Sequence, residues 1–132
     1  MKLNTAIVDD DKIFHFLMSI MLKETQISSS PLCLQEGGQF LQWWHTQKSI
    51  SENVLIFLDL NMPLVDGWQV LDELRNENAK NIFVVIITSS IDPKDKKRAE
   101  RYPMVIDFIV KPIQLHDLLK IKHSTSLTPY FS

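Results

Sequence analysis

The sequence predicts a doubly wound α/β domain, and three observations carry that prediction. Five short apolar runs alternate with five segments of helical spacing, the pattern that builds a parallel sheet covered by helices. The stronger runs are continuous in Val, Ile, Leu and Phe, as strands buried on both faces must be. Four of them also stop abruptly at a polar residue, at Asp9, Asp59, Thr88 and Lys111.

In chain order, Thr5-Ala6-Ile7-Val8 is the first strand and ends at three consecutive aspartates, Asp9, Asp10 and Asp11. Ile13, Phe14, Leu17, Ile20 and Met21 then follow the spacing of an amphipathic helix. Leu32-Cys33-Leu34 is a weaker strand, closed by Gly37-Gly38, with Cys33 expected as a small core residue. Phe40, Leu41, Trp43 and Trp44 mark the second helix; adjacent tryptophans point about 100° apart, so one is expected to pack and the other to be more exposed. Val54-Leu55-Ile56-Phe57-Leu58 ends at Asp59, and Trp68, Val70, Leu71 and Leu74 follow on a third helix that starts near Asp66-Gly67. Ile82 to Ile87 ends at Thr88. Asp92-Pro93 opens the fourth helix, with Asp92 as N-cap and Pro93 at the first helical position. Val105 to Val110 ends at Lys111-Pro112, and Leu115, Leu118, Leu119 and Ile121 define the fifth helix. These units fill residues 1–123. Residues 124–132 read as a short, polar, flexible tail.

Composition narrows the function. A chain of 132 residues with 45% apolar content supports one domain with a real core. A formal net charge of −2 gives no electrostatic case for nucleic acid. The single cysteine excludes an internal disulfide. The N-terminus lacks the apolar stretch of a signal peptide, and no run is long enough to span a membrane, so a cytoplasmic location is expected.

In open parallel α/β sheets, ligands bind beyond the carboxyl ends of the strands. Asp9, Asp10, Asp59, Thr88 and Lys111 should therefore converge on one edge of the sheet. Carboxylates gathered there repel one another unless a cation lies among them. Hard oxygen donors suit Mg²⁺. A carboxylate can act as a nucleophile toward phosphorus, and a lysine ammonium and a hydroxyl can serve the charged phosphoryl oxygens.

The ordered motifs Ile7-Val8-Asp9-Asp10-Asp11, Leu58-Asp59-Leu60-Asn61-Met62-Pro63, Asp66-Gly67, Ile87-Thr88-Ser89 and Val110-Lys111-Pro112 resemble the response-regulator receiver domains of two-component signalling. The resemblance covers about Lys2 to Lys122. It implies a flavodoxin-like sheet of strand order 2-1-3-4-5. It implies Asp59 as phosphoacceptor, Asp10, Asp9 and Asp59 itself as metal ligands, and Asn61 as the residue whose backbone carbonyl completes a Mg²⁺ site. Thr88 resembles the switch hydroxyl, Lys111 the lysine that pairs with Asp59 or its phosphate, and the bond before Pro112 is expected to be cis. Phe108 matches an aromatic position that is often tyrosine in this family. The partners implied are a sensor histidine kinase or histidine phosphotransfer protein as donor, and a protein target docking on residues 92–122. Such a domain catalyses only its own phosphorylation and dephosphorylation, so it is not expected to be an enzyme in the ordinary sense.

Rival readings fit less well. A haloacid-dehalogenase-type phosphatase would use Asp9 as nucleophile, but it leaves the Asp59-to-Gly67 motif unexplained and lacks an acidic pair after Lys111. A non-phosphorylated receiver-like module would usually have lost an acidic residue or the lysine. The three glycines, at 37, 38 and 67, build no phosphate-cradling loop for a nucleotide. Asp11 reads as a helix cap or a solvent-facing residue, the run Lys94, Lys96, Lys97 and Arg98 as a solvated face. His15, His45, His116 and His123 show no metal-ligand spacing and read as surface or half-buried residues.

Overall fold

A computed structural model describes residues 2–47 and 53–131. Elements run β1 (Leu3–Val8), α1 (Lys12–Glu24), β2 (Leu32–Leu34), α2 (Gly37–Gln47), β3 (Asn53–Leu58), α3 (Gly67–Asn76), β4 (Ile82–Thr88), α4 (Pro93–Ala99), β5 (Val105–Val110) and α5 (Leu115–Lys122). The five strands are parallel, in the order β2-β1-β3-β4-β5, which is the doubly wound arrangement expected from the sequence.

Strand side chains alternate between faces, so the sheet supports two cores. Ala6, Val8, Ile56, Leu58, Val84 and Ile86 pack on one face against Phe40, Trp44, Val70, Leu71 and Leu74 of α2 and α3. Ile7, Leu55, Phe57, Val85 and Ile87 pack on the other face against Met18 and Leu22 of α1 and Leu118 and Ile121 of α5. Trp44 is buried, whereas Trp43 is only partly covered and lies against Phe40 with ring centroids 5.9 Å apart.

Three expectations are corrected. The stripe Ile13, Leu17 and Ile20 on α1 does not face the core: these residues are 71%, 51% and 42% exposed, while Met18 and Leu22 are fully buried and His15 nearly so. The helix is apolar over most of its circumference, and periodicity alone does not say which stripe meets the sheet. Cys33 is exposed, because β2 is a three-residue edge strand that α1 covers poorly; the Ser19 hydroxyl lies 3.8 Å from its sulfur. The C-terminal tail is packed. Leu127 is fully buried in the α1/α5 core, Tyr130 meets Phe83 edge-on, and the Lys122 ammonium lies over the Phe131 ring while donating to the Thr25 carbonyl. Three anchoring side chains outweigh the polar average of that segment.

Helix starts are set by side chains at their caps. Asp11 accepts from the Ile13 amide, Asp92 from the Lys94 amide, and Asp66 forms a reciprocal capping box with Gln69. Pro93 occupies the first turn of α4. No helix among the described residues is long and apolar enough to cross a membrane.

Candidate functional site

The loops after β1, β3, β4 and β5 bring the polar strand ends together as anticipated. Asp9, Asp10 and Asp59 each offer a carboxylate oxygen within 4.8 Å of the others. Asp9 and Asp59 are buried, and Asp10 is exposed at the mouth. The parallel β1–β3 register, in which Val8 lies opposite Leu58, sets Asp9 beside Asp59.

Lys111 ties the cluster together. Its Nζ donates to Asp9 Oδ2 at 2.8 Å and lies 3.8 Å from Asp59 Oδ2. It comes from the turn after β5, where the Lys111 amide donates to the Thr88 carbonyl at 2.7 Å and the Lys111–Pro112 bond is cis, as the resemblance implied. Burial by itself lowers the Lys111 pKa; the hydrogen bond to Asp9 and the charges of Asp59 and Asp9 outweigh it and raise the pKa overall. The ammonium therefore stays charged.

Asp59 is in the opposite position. Burial and the charge of Asp9 push its pKa up from 3.8 to about 6, against the pull of Lys111 and of the Asn61 amide. One lysine does not neutralise three carboxylates, so the pocket has an unmet demand for positive charge. The donor set is all oxygen, the chemistry that suits a hard divalent cation, so the residues present fit Mg²⁺.

Thr88 is fully buried at the end of β4. Its Oγ1 accepts from the Ser90 amide at 3.2 Å and from Asn61 Nδ2 at 3.5 Å. Both contacts use the oxygen as acceptor and leave its hydrogen available. Asn61 itself donates its amide to Asp59 Oδ1 at 3.3 Å. Gly67 matters because α3 begins against the end of β3. A Cβ there would lie 2.5 Å from the Asp59 carbonyl oxygen and 2.7 Å from the Leu60 Cα, so only glycine allows this approach.

Two contributors escaped the sequence reading. His15, expected at the surface or half-buried, is buried and donates through Nε2 to the Asp9 carbonyl at 2.6 Å, fixing the backbone of the first loop. Phe14 places its ring 4.5 Å from the Lys111 ammonium, a cation–π contact. Residues 14 and 111 meet because the start of α1 and the residue after β5 both lie at the carboxyl ends of the strands, so no local spacing could have paired them. Phe108 is half-buried and packs against the α2/α3 core.

Fold and pocket together define a doubly wound domain with an acidic, lysine-bridged site at the carboxyl edge of its sheet. A family model for the response regulator receiver domain matches residues 5–122, and the chain belongs to that family. It is 32% identical over 120 residues to response regulator Rcp1 of Synechocystis, covering 87% of this chain and 80% of that one. It is 37% identical over 98 residues to the probable methanogenesis regulatory protein FilR2 of Methanothrix harundinacea, covering 74% of this chain but only 56% of the relative. Among solved structures, a two-component response regulator from Cytophaga hutchinsonii superposes with a TM-score of 0.81 at 23% identity, covering 90% and 92% of the two chains. Chemotaxis protein CheY4 of Vibrio cholerae superposes at 0.74 and 20% identity, covering 92% and 96%; these two likenesses speak to the fold.

Proposed function

We propose that this domain accepts a phosphoryl group on Asp59 in a Mg²⁺-dependent reaction, and that the modification either switches binding to a protein target or is relayed onward. The observation that carries the proposal is the convergence of Asp9, Asp10 and Asp59 within 4.8 Å around the Lys111 ammonium. The donor is a phosphohistidine of a sensor histidine kinase or a histidine phosphotransfer protein.

Asp9, Asp10 and Asp59 with the Asn61 backbone carbonyl would hold the cation. When bound, Mg²⁺ supplies positive charge that offsets the carboxylates and the oxygens of the incoming group. The ionised Asp59 carboxylate attacks phosphorus; its new P–O bond replaces the donor's P–N bond, and the donor imidazole leaves and takes up a proton. Lys111 is already charged and 3.8 Å from Asp59, so a short swing from Asp9 lets it meet a phosphoryl oxygen. Thr88 turns its uncommitted hydrogen to another such oxygen. Hydrolysis by water reverses the modification, and the domain acts on nothing but itself. The face formed by residues 92–122, which carries the exposed basic run of α4 and half-buried Phe108, offers a target-binding surface that responds to Thr88.

The test is labelling with acetyl phosphate in the presence and absence of Mg²⁺, comparing wild type with Asp59→Asn. The expected result is Mg²⁺-dependent incorporation in wild type alone. Equal incorporation into both proteins refutes the assignment.

A further inference from the structure

Away from the acidic pocket, the described residues hold a second group of metal-ligating side chains, on the flank of the α2/α3 layer. His45 sits near the end of α2, Glu73 lies on α3, and Glu77 is the C-cap residue of α3. Residues four apart lie on one helix face, so both glutamates present themselves to the same imidazole. The His45 Nε2 is 2.6 Å from Glu77 Oε2 and 3.7 Å from Glu73 Oε1. One donor atom from each of the three lies within 4.8 Å of the others.

We propose that His45, Glu73 and Glu77 form a Zn²⁺ site that clamps the end of α2 to the end of α3. Tetrahedral zinc with nitrogen and oxygen ligands near 2.0–2.2 Å places its donors about 3.3 Å apart, so side-chain rotations alone bring these three to the required spacing. The helices are already held in place beneath them by Phe40, Trp44, Leu71 and Leu74, all buried in one core, so the ligands come from fixed backbones. An imidazole nitrogen with two carboxylates is a borderline donor set that favours zinc over magnesium. It thereby differs from the all-oxygen pocket around Asp59. Three protein ligands leave a fourth position for water, and the partly exposed side chains give the ion a direct path in: 41% for His45, 47% for Glu73 and 21% for Glu77.

A plain ion pair between His45 and the glutamates is the competing explanation, and metal titration separates the two. Zn²⁺ is titrated calorimetrically into the full chain in excess Mg²⁺, for wild type, Asp59→Asn, His45→Ala and Glu77→Gln, with circular dichroism to verify folding. Wild type and Asp59→Asn are expected to bind one Zn²⁺ with equal affinity. His45→Ala and Glu77→Gln are expected to bind at least about tenfold more weakly, and Zn²⁺ should raise the thermal midpoint only where all three ligands remain. An affinity unchanged by His45→Ala, binding lost in Asp59→Asn, or no binding to wild type overturns the proposal.

Discussion

Replacing Asp59 with asparagine should stabilise the metal-free protein at neutral pH, even though it removes a partner of Lys111. The reason lies in the proton equilibrium of the buried carboxyl, whose pKa is raised from 3.8 to about 6, mainly by burial and by Asp9. A carboxyl raised in this way favours the folded state fully below its unfolded value. That contribution disappears as pH rises through about 6. The shift corresponds to about 3 kcal/mol between the two ends of the window. Asparagine has no such dependence. The stability difference, variant minus wild type, should therefore grow by about 2.4 kcal/mol from pH 4 to pH 8, part of the shift being already expressed at pH 4. Urea denaturation in EDTA at a series of pH values measures it. Adding Mg²⁺ should narrow the gap at pH 8, because the ion binds only the folded wild-type site; a tenfold excess over Kd restores about 1.4 kcal/mol. A gap that does not change with pH, or one in which asparagine is the less stable at pH 8, would refute the reasoning.

Other predictions concern neighbouring side chains. Gly67→Ala should destabilise by about 1–3 kcal/mol in urea melts, because the new methyl meets backbone at 2.5 Å on the acceptor strand end; a neutral effect would show that α3 can withdraw. Phe14→Leu should slow acetyl phosphate labelling by roughly fivefold, the equivalent of a cation–π contact of about 1 kcal/mol, while Phe14→Tyr preserves the rate; equal rates for all three proteins would remove Phe14 from the site. Asn61 is exposed and Ser90 is half-buried beside Thr88, so water should reach the phosphate readily. Bulky apolar substitutions at both positions should lengthen the phosphate's lifetime after the donor is removed, and an unchanged decay would defeat the idea.

Much of the site was legible because its residues lie where apolar runs stop. Asp9, Asp59 and Lys111 each follow a strand and Thr88 ends one, and a parallel sheet necessarily gathers strand ends of one sense along one edge. The capping roles of Asp11 and Asp92 and the helix start at Asp66-Gly67 were legible for a similar local reason: each precedes a helical segment directly. Less visible were features set by contact between remote elements. The helical spacing of α1 announced a helix but not that Met18 and Leu22, rather than Ile13 and Leu17, would meet the sheet. The pairing of Phe14 with Lys111 depends on the start of α1 and the turn after β5 meeting at the carboxyl edge of the sheet, and that of His15 with the Asp9 carbonyl on how the first turn of α1 folds back over its own entry loop. The packed tail hinges on Leu127 filling a gap in the α1/α5 core, a vacancy that no composition average reveals.

The identity of the acceptor is open to direct chemical reading. An aspartyl phosphate is an acyl phosphate, and borohydride reduces it to homoserine at the modified position alone. After acetyl phosphate and Mg²⁺ treatment, peptide mapping should find homoserine in place of Asp59, with Asp9 and Asp10 untouched. Homoserine at position 9, or at no position, would contradict the account.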